Sequence, residues 1–82
     1  IRLNNNFESV QNIDNKNEIT KIIFKFEGIN EIPKVIFEFK NLEILDLTNN
    51  QIESVPKEIG ELVNLKELKL GNNKIKSIPK EI

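Results

Sequence analysis

The chain has 82 residues and a formal net charge of −1, from twelve basic and thirteen acidic residues. Its 38% of hydrophobic and 30% of charged residues suit one small folded domain. Histidine and cysteine are absent, which argues against disulfides, most metal sites and nucleophilic catalysis of the Ser–His or Cys–His kind. No basic block and no apolar run of the roughly 20 residues that a membrane helix needs are present, so we expect neither nucleic-acid binding nor membrane insertion.

The first 18 residues contain a loose copy of a segment that lies later in the chain. Residues 3–10 resemble residues 47–55 with one residue deleted. We therefore interpret residues 1–18 as a degenerate first repeat, with a strand near residues 1–3.

Regular copies follow with a period of 23 residues, as full repeats at 19–41 and 42–64 and an incomplete repeat at 65–82. Asn50 and Asn73 are 23 residues apart. The apolar positions recur at the same spacing, and in the second copy they are Leu42, Leu45, Leu47, Ile52, Val55, Ile59 and Leu62. We therefore expect one repeat domain over the whole chain.

The second copy indicates how each repeat folds. Leu45 and Leu47 alternate with their neighbours at the period of two that is typical of a strand with one buried face. Asn50 follows, and its amide can both donate and accept hydrogen bonds in the turn, with Asn73 stacked beside it as a ladder. Pro56 favours the start of a short helical or 3-10 segment. Because one such coil cannot bury its own apolar side chains, we expect the copies to stack with parallel strands.

This pattern places short strands near residues 21–25, 44–48 and 67–71. The segments at 33–39 and 56–62 should lie on the opposite side of the stack. A long helix is excluded, because three prolines recur at the repeat period.

Two positions depart from the pattern. Phe37 aligns with Gly60 of the next copy, so we expect its ring to be partly exposed. Glu27 stands at the position of the ladder asparagines, and an ionised carboxylate cannot donate as an amide does. With Gly28 after it, we expect a locally altered turn; an ion site is the alternative, which lacks a second acid at ligand spacing.

The repeats resemble the leucine-rich-repeat signature. Residues 42–52 and 65–75 both read L-x-x-L-x-L-x-x-N-x-I, and residues 55–62 read V-P-x-x-I-x-x-L, which is similar to the 23-residue class. The string P-K-E-I at 56–59 and 79–82 looks most like bacterial, especially spirochaete, leucine-rich-repeat proteins. The resemblance implies an α/β solenoid: a right-handed coil with a short parallel concave sheet and short helical or 3-10 segments on the convex side.

The outward strand positions are where such repeats commonly bind partners, so we expect the partner-binding surface there. These positions are Lys21, Ile23, Lys25, Phe26, Ile44, Asp46, Thr48, Asn49, Glu67 and Lys69. Stacking should align them across the strands in two rows, Ile23–Asp46–Lys69 and Lys21–Ile44–Glu67. Asn50 and Asn73 are assigned a structural role.

A small apolar patch is expected within this surface. Ile23, Phe26 and Ile44 would lie among charged side chains, which suits a recognition surface, although scattered surface hydrophobics are the alternative. We expect Asp46 and Lys69 to pair across the strands, as a solvated pair worth under about 1 kcal/mol.

These features predict a non-catalytic protein–protein interaction module that presents a concave sheet to a protein partner and needs no cofactor or metal. One alternative is a recognition or structural fragment of a larger receptor, effector or enzyme; another is binding of a glycan or other surface ligand. We expect a soluble protein, either secreted or on the surface of a bacterium, or cytoplasmic. No polar cap follows Ile82, so we also expect the apolar edge of the last repeat to be covered, by a homo-oligomer or by further sequence.

Overall fold

Short strands and 3-10 helices (η) alternate along the chain in a computed structural model that describes residues 1–4 and 10–80. In chain order they are η1 (Lys16–Glu18), β1 (Lys21–Ile23), η2 (Lys34–Glu38), β2 (Ile44–Asp46), η3 (Lys57–Glu61) and β3 (Glu67–Lys69). The strands form one parallel sheet in the order β1-β2-β3, and η2 packs beside η3. The predicted stack of repeats with parallel strands is confirmed.

The strands pair at the repeat spacing. Ile22 lies opposite Leu45, and Leu45 lies opposite Leu68. The residues on either side of them align in the two predicted rows, Lys21–Ile44–Glu67 and Ile23–Asp46–Lys69. Hydrogen bonding continues past β1, because the N–H of Phe24 donates to the carbonyl of Asp46 at 2.7 Å and that of Phe26 donates to the carbonyl of Thr48 at 3.3 Å. The regular strands are shorter than predicted, and the positive φ angles of Phe26, Asn49 and Asn72 lie just beyond the predicted strand ends.

Residues 1–3 extend the sheet beyond β1. Arg2 forms an isolated parallel bridge with Ile23. The N–H of Leu3 donates to the carbonyl of Ile23 at 2.7 Å, and the N–H of Ile23 donates to that of Ile1 at 2.6 Å. This is where the degenerate repeat was predicted to have its strand. Residues 5–9 and 81–82 lie outside the described residues, so the remaining parts of the first and last repeats stay predictions.

The core runs through the stack between the sheet and the 3-10 helices. All seven apolar positions of the second copy are buried. The first full copy contributes Ile22, Phe24, Ile29, Ile32, Ile36 and Phe39. In the third copy, Leu65, Leu68, Leu70 and Ile75 are only partly buried and pack against this core. Among the described residues, these four have a neighbouring coil on one side only, which accounts for their partial burial.

Phe37 corrects one expectation. It was predicted to be partly exposed because its counterpart is a glycine, but only 7% of its surface is accessible. Its ring lies in a cleft that Ser54 and Pro56 of the next coil also line. Alignment with Gly60 does not reveal this burial, because the cleft is formed by residues of two successive repeats.

Asn50 ties the turn after β2 to the coil before it. Its Nδ2 donates to the carbonyl of Leu47 in its own coil at 3.0 Å and to that of Phe24 in the previous coil at 2.7 Å. Its Oδ1 accepts from the backbone N–H of Glu27 at 2.9 Å. One amide thus satisfies backbone groups of two coils, which no apolar side chain can do.

Asn73 makes the same connection one repeat later. Its Nδ2 donates to the carbonyls of Leu70, at 3.1 Å, and Leu47, at 2.8 Å, while its Oδ1 accepts from the N–H of Ile52 at 3.0 Å. The carbonyl of Leu47 therefore accepts from both ladder asparagines. The ladder joins the three regular coils in one continuous set of hydrogen bonds.

The turn at Glu27 differs from the later ones. Phe26 and Gly28 both have positive φ angles, of 58° and 68°. In the next copy, Asn49 has a φ of 61°, but Gln51, the counterpart of Gly28, is not among the residues with positive φ. Glycine adopts a positive φ at little cost, so Gly28 allows this turn to contain a second residue with a left-handed backbone.

The ladder leads to a test of stability. Asn50→Ala should lower the free energy of unfolding by about 1–3 kcal/mol, because buried backbone groups lose their partners. Asn50→Asp keeps the size and the acceptor oxygen but cannot donate to the two carbonyls when ionised, so it should also destabilise. Urea denaturation followed by circular dichroism measures both changes.

The matched control is Asn64→Ala. Asn64 is exposed, and its amide makes only long hydrogen bonds, to the carbonyl of Lys40 at 3.4 Å and to the Oδ1 of Asn41 at 3.3 Å. Its removal should change the free energy of unfolding by less than about 0.5 kcal/mol. If Asn50→Ala proved no more destabilising than this control, the role assigned to the ladder would be wrong.

Candidate functional site

The outward side of the sheet, here called the concave surface, carries the ten predicted partner-binding residues. Their neighbours Ile22 and Leu45 are fully buried, and the alternation of a strand turns the intervening residues outward. Four of the ten are exposed: Lys21, Phe26, Glu67 and Lys69. Five are half-buried: Ile23, Lys25, Ile44, Thr48 and Asn49. The tenth, Asp46, is buried, with 7% of its surface accessible.

Asp46 is held by groups of its own chain. Its Oδ1 accepts from the hydroxyl of Thr48 at 2.5 Å and from the N–H of the same residue at 3.1 Å. Its Oδ2 lies 3.9 Å from the Nζ of Lys25. Burial by itself would raise the pKa of Asp46, but the bonds from Thr48 and the charges of Lys25 and Lys69 together lower it below its ordinary value.

The predicted pair of Asp46 with Lys69 needs correction. Asp46 forms its ion pair with Lys25, which follows β1. Lys69 on β3 affects the carboxylate only through its charge. The row Ile23–Asp46–Lys69 favoured Lys69, whereas Lys25 lies two residues beyond Ile23, the residue opposite Asp46, and reaches the carboxylate diagonally. The carboxylate of Asp46 is therefore bonded within the fold, and its buried side chain offers little surface to a partner.

Arg2 is a concave residue that the sequence prediction omitted. Its bridge with Ile23 adds it to the row of Ile23, Asp46 and Lys69, and its guanidinium donates to the carbonyl of Lys25 at 3.5 Å. The signal was present, because the loose copy at residues 3–10 aligns Arg2 with Asp46. The outward position follows from that alignment.

The concave surface has a charge opposite to that of the chain. Arg2, Lys21, Lys25 and Lys69 stand against Asp46 and Glu67, which gives the surface a formal charge of +2 in a chain of −1. Elsewhere, lysines and glutamates of successive coils pair with one another: Lys16–Glu38, Lys40–Glu61, Lys66–Glu43 and Lys76–Glu53. Within the described part of the chain, neither Lys21 nor Glu67 has an ion-pair partner within 4 Å.

The described residues were also considered for a metal site and for a membrane-spanning helix. Among residues 1–4 and 10–80, no three acidic, histidine or cysteine side chains lie together as a metal site would require. The helices of the same residues include none that is long and apolar enough to cross a membrane.

Comparison with known proteins agrees with this geometry. The family model for leucine-rich repeats in two copies matches residues 40–80, which is half of the chain. The chain belongs to the leucine-rich-repeat proteins. A solved leucine-rich-repeat protein of Leptospira interrogans is 42% identical over 78% of this chain, with a TM-score of 0.72. The predicted similarity to spirochaete leucine-rich-repeat proteins is confirmed.

The aligned part of the chain spans 16% of the length of that leptospiral protein. A comparison with curated proteins gave no match.

Phe26 occupies a strained position in its leucine-rich repeat. It has a φ of 58°, and the residues at the same place in the next two repeats, Asn49 and Asn72, have φ angles of 61° and 55°. Asparagine tolerates this left-handed conformation, whereas a bulky residue there is rare and strained. The ring of Phe26 is 67% exposed. Little burial therefore offsets the backbone strain.

Replacing Phe26 tests this strain. Phe26→Asn should raise the free energy of unfolding by about 1 kcal/mol, because the backbone stays left-handed while its strain is relieved. Phe26→Ala is the control: it removes the ring but leaves an L-residue with a Cβ at positive φ, so it should give no such gain. Urea denaturation compares the three proteins. A Phe26→Asn variant no more stable than Phe26→Ala would contradict the inferred strain.

Asp46 makes stability depend on pH. Because its pKa in the folded chain lies below the ordinary value of 3.8, its contribution is fully present above that value and is lost as the pH falls through the folded pKa. Asp46→Asn should remove this part of the acid dependence, as measured by urea denaturation in a series of buffers from neutral to strongly acidic pH. Thr48→Val removes one of the bonds that lower the pKa and should reduce the dependence in part. Acid destabilisation as steep in Asp46→Asn as in the wild type would contradict the assignment.

Proposed function

We propose that this chain is a non-catalytic protein-binding module whose partner contacts the concave surface. The observation that supports it most is the state of Ile23, Phe26 and Ile44. All three remain exposed or half-exposed on the outward side of strands whose inward side is buried. Leucine-rich repeats generally mediate protein–protein interaction, which agrees with this use of the surface.

The arrangement of the surface favours a macromolecular partner. Ile23 and Ile44 lie diagonally across β1 and β2, because Ile44 is opposite Lys21 and Ile23 is opposite Asp46. Apolar and charged side chains are thus interleaved on a short sheet whose register is held by the ladder. Such a mixed, pre-organised surface suits an interface with an apolar centre and a polar rim.

The length of the leptospiral protein favours a second candidate, in which these repeats are the recognition part of a longer protein. The chain spans 16% of that protein, and repeat units usually act within larger arrays. Both candidates use the same concave surface. The expected homo-oligomer at the edge formed by residues 65–82 stays a prediction.

The test of the concave surface uses Ile44→Glu. A displayed library of random peptides is selected on the wild-type chain, and the affinities of the selected peptides are compared between variants. Ile44→Glu should weaken them at least about tenfold, because it places a charge in the middle of the surface. Phe26→Ala serves as a second probe of the same surface.

Val63→Glu is the matched control. Val63 is 81% exposed and lies in the turn between η3 and β3, away from the outward strand positions. It undergoes the same kind of change, from apolar to acidic, and should leave binding unaltered. Peptides that bind Ile44→Glu as well as they bind the wild type would rule out the concave surface as their site.

A further inference from the structure

The β1 side of the concave surface combines positive charge with exposed apolar groups. We call it the basic strip and define it as Arg2, Lys21, Ile23, Lys25 and Phe26. Arg2, Lys21 and Phe26 are exposed, while Ile23 and Lys25 are half-buried. All five lie on β1, on the segment paired with it, or in the turn that follows it.

Asp46, the acid that forms an ion pair with this strip, is already bonded within the fold. Asp46 faces Lys25, but its carboxylate is buried and accepts two hydrogen bonds from Thr48. Lys21 lies opposite Ile44, which is apolar, and the acidic Glu67 is one strand further away. Arg2 and Lys21 are exposed, and among the described residues neither has an acidic partner within 4 Å, although the Arg2 guanidinium donates to the carbonyl of Lys25. A complementary ligand would be anionic.

Phe26 gives the strip its apolar component. Asparagine occupies the same left-handed position in the other two repeats and suits the fold better. A 67% exposed phenylalanine at this place is therefore poorly explained by folding. Exposed aromatic side chains on a rigid backbone are common anchors in protein interfaces, since they bury a large area with few rotatable bonds.

From this combination we infer that the basic strip binds an acidic segment of a partner protein, with an apolar side chain of the segment packed on Phe26 and its carboxylates facing Arg2 and Lys21. The inference rests on the proposed function and names the chemistry of the partner. A nucleic acid fits less well, because the strip has three cations and no run of them along the sheet.

Short synthetic peptides serve as the probe. The acidic apolar peptide has a Leu-Phe pair flanked by glutamates. The lysine peptide has the same pair flanked by lysines. The third peptide keeps the flanking glutamates but has two serines instead of the Leu-Phe pair. Binding of each fluorescein-labelled peptide to the folded chain is followed by fluorescence anisotropy at low and high salt. The acidic apolar peptide should bind at least about tenfold more tightly than the other two. High salt should weaken its binding, because exposed charges are screened.

Variants then locate the site. Lys21→Glu and Phe26→Asn should each weaken the acidic apolar peptide about tenfold. Lys57→Glu is the control for charge, because Lys57 is exposed at the start of η3, away from the sheet, and it should leave the affinity within about twofold. Since Phe26→Asn is expected not to destabilise the chain, its loss of binding would not reflect unfolding.

The outcomes separate this inference from the proposed function. If the lysine peptide binds as well as the acidic one, or if no peptide binds, the inferred acidic partner is wrong. Should the lysine peptide bind and Ile44→Lys, which places a like charge at the same position, abolish its binding, the concave surface still stands. If the acidic apolar peptide binds but tolerates Lys21→Glu, Phe26→Asn and Ile44→Glu alike, both the strip and the concave surface are overturned.

Discussion

The side-chain amide of Asn50 is the interaction on which the stack depends. A 23-residue coil leaves carbonyl and N–H groups unpaired in the turn after its strand, and these groups must be satisfied once the neighbouring coils exclude water. Asn50 joins the carbonyls of Leu47 and Phe24, which belong to different coils. It therefore holds two strands at a fixed offset while satisfying their ends. The strand register, the burial of one face and the rows on the other face all follow from that offset.

The period of the sequence made much of this structure predictable. Once Asn50 and Asn73 are superimposed, Ile22, Leu45 and Leu68 must share a row, and the residues on either side must face outward. The parts that could not be predicted depend on contacts between coils. Phe37 is buried, in a cleft that it lines together with Pro56 of the next coil, although its own counterpart has no side chain. Such burial appears only when the coils are stacked.

The strand register made the outward row positions predictable, but not the state of each residue on them. Asp46 was assigned to the surface, yet Thr48 and Lys25 hold it in the fold. This contact changes the electrostatic balance, because an acid that is bonded internally no longer offsets the exposed charges beside it. What a partner would meet is the charge of Lys21 and Arg2. A count of charges along the strands does not show this imbalance.

The strained backbone at Phe26 can be judged against the chain itself. Asn49 and Asn72 occupy the same place in the same kind of coil, and all three residues share a left-handed φ. The backbone conformation is thus set by the repeat, not by the side chain that happens to stand there. A side chain that suits this conformation is therefore known from two internal examples. The departure at Phe26 is expected to lower stability, and it leaves an aromatic ring largely in solvent; contact with a partner would offset both disadvantages. The strained position of Phe26 thus lies on the surface proposed to bind a partner.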